Sequence, residues 1–311
     1  MTVSESFRVS VPATTANIGP GFDCLGAALT RYNRFIFTTS QLGDPPLQIE
    51  VIGAERDRVP TDTSNLAYVA FYECFQHLDR PVPPVQIKIE LDVPLARGLG
   101  SSSTAIVGGI LGANALAGSP LQTADLARLA TKLEGHPDNV VPALLGGCRL
   151  ATVNDAGQGI LCEVPWHSSI VPILVIPAFE VPTAKARQVL PPTYSRTDAV
   201  YTVGHLGLLI RALETGNGEW IRTAIGDRIH EPYRKTLIPG YDLVVQAALS
   251  AGAFGVTISG AGPTLLALGD PDQASAIADS MATAWQQQGV DVVDAVVSQI
   301  DAIGATVESV S

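Results

Sequence analysis

The sequence predicts an α+β protein of two lobes, 1–168 and 169–311. Three observations lead there. Short period-two runs alternate with helical stretches through the first half. The pattern restarts on the apolar run 171–179. The closing order of helix, strand, strand, helix, strand then suggests a split β-α-β sheet with 171–179 as a partner.

In chain order, 7–11 and 33–40 read as strands and 47–52 as a third. Helical periodicity over 65–78 follows Thr63 and Ser64, both suited to capping. Residues 85–91 alternate Val-Gln-Ile-Lys-Ile-Glu-Leu, the pattern of a half-buried strand. A small-residue helix runs to about Ala117, and a second covers 123–134 after Ser119-Pro120. Residues 144–153 and 160–164 form a hairpin around Asn154-Asp155-Ala156-Gly157. Beyond the 171–179 strand come helices near 183–190 and 195–215. A helix at 241–251, strands at 253–259 and 264–268, a helix at 272–288 and a strand at 291–297 complete the chain.

Nineteen Lys and Arg stand against 30 Asp and Glu among 311 residues, a net charge of −11, with 46% hydrophobic residues. That composition supports a packed core and argues against disorder and against nucleic-acid binding, since no basic stripe is present. The longest apolar stretch, 106–116, is interrupted by three glycines and an Asn, so no membrane span is expected. Glu5 and Arg8 sit where an export signal needs an apolar stretch, and a cytoplasmic location is expected. The widely spaced Cys24, Cys74, Cys148 and Cys162 suit neither a zinc site nor a disulfide framework. Any phosphate ligand must therefore be held locally, by backbone amides, helix ends or a metal.

Three glycine-rich segments qualify. Pro94-Leu95-Ala96-Arg97-Gly98-Leu99-Gly100-Ser101-Ser102-Ser103-Thr104 lies between a strand and a helix. Its glycines allow close backbone approach, and the helix adds free amides and the positive end of its dipole. It lacks the lysine of a Walker loop and the spacing of a dinucleotide fingerprint. Pro12-Ala-Thr-Thr-Ala-Asn17-Ile-Gly19-Pro-Gly21-Phe22-Asp23-Cys24-Leu-Gly26 follows a strand expected to stop at Pro12, and presents an amide and a carboxylate. Ser259-Gly260-Ala261-Gly262-Pro263-Thr264 separates two apolar strands and suits a loop bracing the other two. Taken singly, each is also what a tight turn or hairpin uses.

In this order and at these distances the segments resemble the GHMP small-molecule kinases, named for galactokinase, homoserine kinase, mevalonate kinase and phosphomevalonate kinase. Glu134-Gly-His136-Pro-Asp138-Asn139, Thr183-Ala-Lys-Ala-Arg187 and Glu231-Pro-Tyr-Arg234 make the match closest to the homoserine kinase family. The resemblance covers essentially the whole chain. It implies a ribosomal-S5-domain-2-like ATP-binding lobe over 1–168 and a ferredoxin-like lobe over 169–311.

By the same resemblance, residues 94–104 wrap the ATP triphosphate, and Asn65 lies near the adenine or ribose. Ser102 and Glu134 hold Mg²⁺, with the choice among the serines open. Arg187 and Arg234 take the carboxylate of an amino-acid substrate, and Asp23 and Asp138 its ammonium. Asn17, His136 and Thr183 hydrogen-bond around it. Asn139 stands beside Asp138 where related mevalonate kinases have an Asp base, so no strong general base is expected. The implied reaction is transfer of the γ-phosphoryl group of ATP to the hydroxyl of L-homoserine, by a homodimer. Alternatives are a kinase of the same superfamily acting on mevalonate, and a nucleotide-binding regulator without turnover.

Overall fold

The computed structural model describes residues 5–40, 45–156 and 158–310. The first lobe begins with two long strands, β1 (Ser6–Ala16) and β2 (Leu25–Thr39), paired antiparallel. They are followed by β3 (Leu47–Ile52), α1 (Leu66–His77), β4 (Val85–Glu90), α2 (Ser101–Leu116), α3 (Thr123–Glu134) and α4 (Pro137–Leu145). The hairpin β5 (Cys148–Val153) and β6 (Gly159–Val164) closes the lobe, its tip residue Gly157 lying outside the described residues. The strand expected to stop at Pro12 instead continues to Ala16. The register shifts between Pro12 and Ala13, a bulge that accommodates a residue with no N–H to give the ladder.

The second lobe contains β7 (Val171–Pro177), α5 (Thr183–Gln188), α6 (Arg196–Thr215), α7 (Gly218–Ala224), α8 (Glu231–Arg234) and α9 (Tyr241–Ser250). After these come β8 (Gly255–Ile258), β9 (Leu265–Gly269), α10 (Ala274–Gln287), β10 (Val292–Val297) and β11 (Thr306–Ser309). Strands β10-β7-β9-β8 form an all-antiparallel sheet, the split β-α-β order expected from the sequence. The other sheet runs β11-β1-β2-β4-β3, with β5 and β6 branching from β2. Its outer strand β11 thus comes from the far end of the chain.

Each sheet buries one core, and a third cluster joins the lobes. In the first lobe Phe35, Phe37, Phe71, Ile87, Ile106 and Ile110 are fully or almost fully buried beneath α1 and α2. The small residues of α2 let it sit on the sheet: a Cβ on Gly112 would meet the Phe37 ring at 2.2 Å. Ile18, Leu25, Leu29, Leu99, Leu174, Ile176 and Ile225 form the cluster between the lobes, which fixes the phosphate-type loop against both. Among the described residues no helix is long and apolar enough to cross a membrane.

Candidate active site

A cleft of about 390 Å³ opens between the lobes, and all three glycine-rich segments reach its wall. At one end lies the loop preceding α2. Gly98 and Gly100 adopt left-handed backbone, φ 76° and 66°, a conformation found in anion-binding loops. Among the described residues no protein acceptor takes the main-chain N–H groups of Gly98, Leu99, Gly100, Ser101, Ser102 or Ser103. Six free donors at the N-terminus of a 16-residue helix form an anion cradle. Side chains just beyond add oxygen ligands: the Ser102 and Ser103 hydroxyls both donate to Glu134 Oε1, at 3.0 and 3.1 Å.

The loop is anchored from three sides. Ser259 Oγ donates to the Gly98 carbonyl at 2.6 Å, and Thr14 N donates to the Leu99 carbonyl at 3.1 Å. Thr264 N donates to the Arg97 carbonyl at 3.3 Å, a second hydrogen bond from the third glycine-rich segment to the first. The Arg97 side chain lines the cleft and is engaged by protein groups. It pairs with Glu55 at 2.9 Å and donates to the carbonyls of Pro177 and Ala178, each at 3.1 Å, pinning the loop to the second lobe. Glu55 also accepts the Leu95 amide at 2.7 Å. Burial alone would raise the Glu55 pKa, but that amide and Arg97 hold it below the ordinary value.

The opposite end is charged. Arg187, on α5, grips Asp23 through two hydrogen bonds of 2.9 and 3.0 Å. Arg234, on α8, is almost completely buried. It donates to the carbonyls of Ala186 at 3.2 Å and Gly260 at 3.0 Å, and has no carboxylate within ion-pair distance among the described residues. Burial, then the neighbouring Arg187 charge, lower its pKa. Asn17 donates to the Gly260 carbonyl at 2.7 Å and accepts the Asp23 amide at 3.0 Å, tying the second segment to the third. His136 Nδ1 hydrogen-bonds the buried Asp138 carboxylate. Burial works against protonation of His136, yet Asp138, with Asp23 and Glu134, raises its pKa above the ordinary value.

Of the residues singled out in the sequence, Asn17, Asp23, Asn65, Glu134, His136, Asp138, Asn139, Thr183, Arg187 and Arg234 all line this one cleft. So do Leu95, Ala96, Arg97, Gly98, Gly100, Ser101, Ser102, Gly260, Ala261 and Gly262. Pro94, Leu99, Ser103, Thr104 and Ser259 are not part of its wall. Thr104 has a structural partner instead, accepting from Asn33 Nδ2 at 2.8 Å. Asn65 caps α1, its Oδ1 accepting from Ala67 and Tyr68 while its Nδ2 donates to Pro60, so its amide is already engaged.

Sequence reading missed an apolar part of the wall made by Phe35, Val59, Pro60, Leu66, Ile89 and Leu91. It also missed Thr14, whose hydroxyl donates to Asn139 Oδ1 at 2.8 Å. Their signal is spatial: these residues come from separate elements and share no local pattern.

A cleft with a backbone anion cradle, between two α+β lobes, suits an enzyme that acts on a phosphate-bearing ligand and a small second substrate. Accordingly, the family model "GHMP kinases N terminal domain" matches residues 65–147, and "GHMP kinases C terminal" matches residues 209–287. The chain is 60% identical to a homoserine kinase of Nostoc sp., over 94% of this chain and 96% of that one. It is 58% identical to the homoserine kinase of Trichormus variabilis over the same shares. The crystal structure of homoserine kinase from Cytophaga hutchinsonii superposes with a TM-score of 0.88 at 30% identity, covering 99% of both chains. The chain belongs to the homoserine kinase family of the GHMP kinases.

Proposed function

We propose that this protein transfers the γ-phosphoryl group of ATP to the side-chain hydroxyl of L-homoserine, giving O-phospho-L-homoserine and ADP. One observation carries the reading: free main-chain amides of Gly98, Gly100, Ser101 and Ser102 share a cleft with charges complementary to a free α-amino acid. The amides of 98–103 take the triphosphate, and the apolar part of the wall takes the base. The oxygens of Ser102, Ser103 and Glu134 form a donor set suited to Mg²⁺, a hard cation, which when bound supplies charge neutralisation on the phosphates.

At the other end Arg187 and Arg234 take the substrate carboxylate, since guanidinium matches it bidentately. Asp23 and Asp138 take the ammonium, with Asn17, His136 and Thr183 completing the hydrogen bonds. Phosphoryl transfer depends mainly on positioning and electrostatics, so no strong base is required. Asn139 suits that scheme: an amide cannot take the hydroxyl proton, and its Oδ1 is already held by Thr14. Asp138 is engaged by His136.

With this reading go a boundary near residue 168, apart from the returning β11, and a cytoplasmic setting where ATP is supplied. A homodimer is part of it too, supported by exposed Val153, Ile160 and Leu161 on the β5–β6 hairpin and Val200 and Val203 on α6. The test is coupled ADP release from a panel of L-homoserine, 4-hydroxybutanoate and mevalonate, with and without Mg²⁺. Magnesium-dependent release with homoserine and negligible release with the other two is expected. Preference for mevalonate, or no turnover of homoserine, contradicts the reading.

A further inference from the structure

Phe22 has no part in the scheme above, although it directly precedes Asp23 in the second glycine-rich segment. The guanidinium carbons of Arg234 and Arg187 lie 5.0 and 5.8 Å from the centre of its ring. The ring also stacks on His230, centroids 5.3 Å apart at 24°. We propose that Phe22 is a positioning residue: its π face holds Arg187 and Arg234 together so that they converge on the substrate carboxylate. The inference rests on the homoserine reading of the cleft.

Two guanidinium groups in one corner repel each other, and the two are compensated unequally. Arg187 has the Asp23 carboxylate. Arg234 is almost fully buried and, among the described residues, hydrogen-bonds only two main-chain carbonyls, with no carboxylate at ion-pair distance. A buried cation without a counter-ion needs further stabilisation, and the negative face of an aromatic ring supplies it without introducing a carboxylate that would compete with the substrate's. The second ring of the stack, His230, does not add to the repulsion. His230 is completely buried and its Nε2 donates to the Gly19 carbonyl at 3.0 Å, while among the described residues Nδ1 has no acceptor that would hold a second proton. Burial keeps its pKa below the ordinary value.

The ring is held in place by its own loop. Gly21 N and Leu25 N close turns onto the Asn17 and Gly21 carbonyls at 3.0 and 2.9 Å, and Asp23 N reaches Asn17 Oδ1 at 3.0 Å. Asn17 and Asp23 both adopt left-handed backbone, φ 70° and 57°. One rigid turn therefore presents the ammonium acceptor and, one residue earlier, the platform for the carboxylate clamp.

The experiment replaces Phe22 in the full chain by Leu, Tyr and a series of ring-fluorinated phenylalanines, which progressively weaken the π face while leaving the packing nearly unchanged. The KM for homoserine, the KM for ATP, kcat and the melting temperature are measured for each. Phe22→Leu is expected to raise the homoserine KM about tenfold, with the ATP KM and melting temperature held, and Phe22→Tyr to restore the wild-type value. The fluorinated series should raise the homoserine KM stepwise. A flat series, or a Leu variant in which both KM values rise and the melting temperature falls, overturns the inference while the wild-type homoserine turnover stands. Absence of homoserine turnover by the wild type overturns both readings.

Discussion

Glu231 is a carboxylic acid buried at the junction of the lobes, under the loop that carries Asn17 and Asp23. Its Oε1 accepts from the Thr257 hydroxyl and, at 2.8 Å, from the Ile258 amide, and Thr257 in turn accepts the Gly19 amide at 2.9 Å. Burial outweighs those hydrogen bonds and pushes its pKa from 4.5 up to about 7. Between those values the folded protein keeps a proton that the unfolded chain has released. The contribution to stability is therefore full below pH 4.5 and is lost as pH rises toward about 7. Urea unfolding of the wild type should show a loss on the order of 2–3 kcal/mol across that window, and Glu231→Gln should lack it. Equal slopes for the two proteins would contradict the assignment.

At the scale of elements, the proposed nucleotide site rests on the N-terminus of α2. Gly100 combines φ 66° with a neighbour that leaves no room: a Cβ there would lie 2.0 Å from Thr14 Oγ1. Gly100→Ala must strain the loop and displace Thr14, which holds both Leu99 and Asn139. An increase in the ATP KM of roughly tenfold or more is expected, corresponding to about 1.4 kcal/mol, and a wild-type ATP KM would show that the cradle does not bind phosphate. This element was legible in the sequence because glycines after a period-two strand and before a serine-led helix leave a local signature. Other elements carried none. Helix α4 contains Pro137 and Pro142, which read as helix breakers, although the first sits at the tolerated N-terminal position. The first part of β2, Leu-Gly-Ala-Ala-Leu-Thr, is too small-residued to look like a strand and is held by β1 and β5. Strand β11 is four residues long, and its partner β1 lies at the other end of the chain.

Across the whole molecule, the lobes meet around the phosphate loop rather than merely beside it. Arg97 bridges Glu55 of the first lobe to the end of β7 in the second, and Ser259 and Thr264 reach across to the same loop. Sequence alone placed Arg97 with ATP because it stands within the motif. Its partners lie far from it in the chain, so its role as a strut became visible only in three dimensions. The same holds for Asp23 and Arg187, each read as a substrate contact and here facing one another in a bidentate pair. On the proposed reading, a zwitterionic substrate would satisfy both partners on parting them, which a singly charged alcohol could not do. The most direct test is a crystal structure of the protein with a nonhydrolysable ATP analogue, Mg²⁺ and L-homoserine. The account predicts phosphate oxygens on the amides of Gly98 to Ser103, with the homoserine carboxylate on Arg187 and Arg234 and its hydroxyl toward the γ-phosphorus. Phosphates bound away from those amides, or an amino acid turned so that its carboxylate faces Asp23, would contradict it.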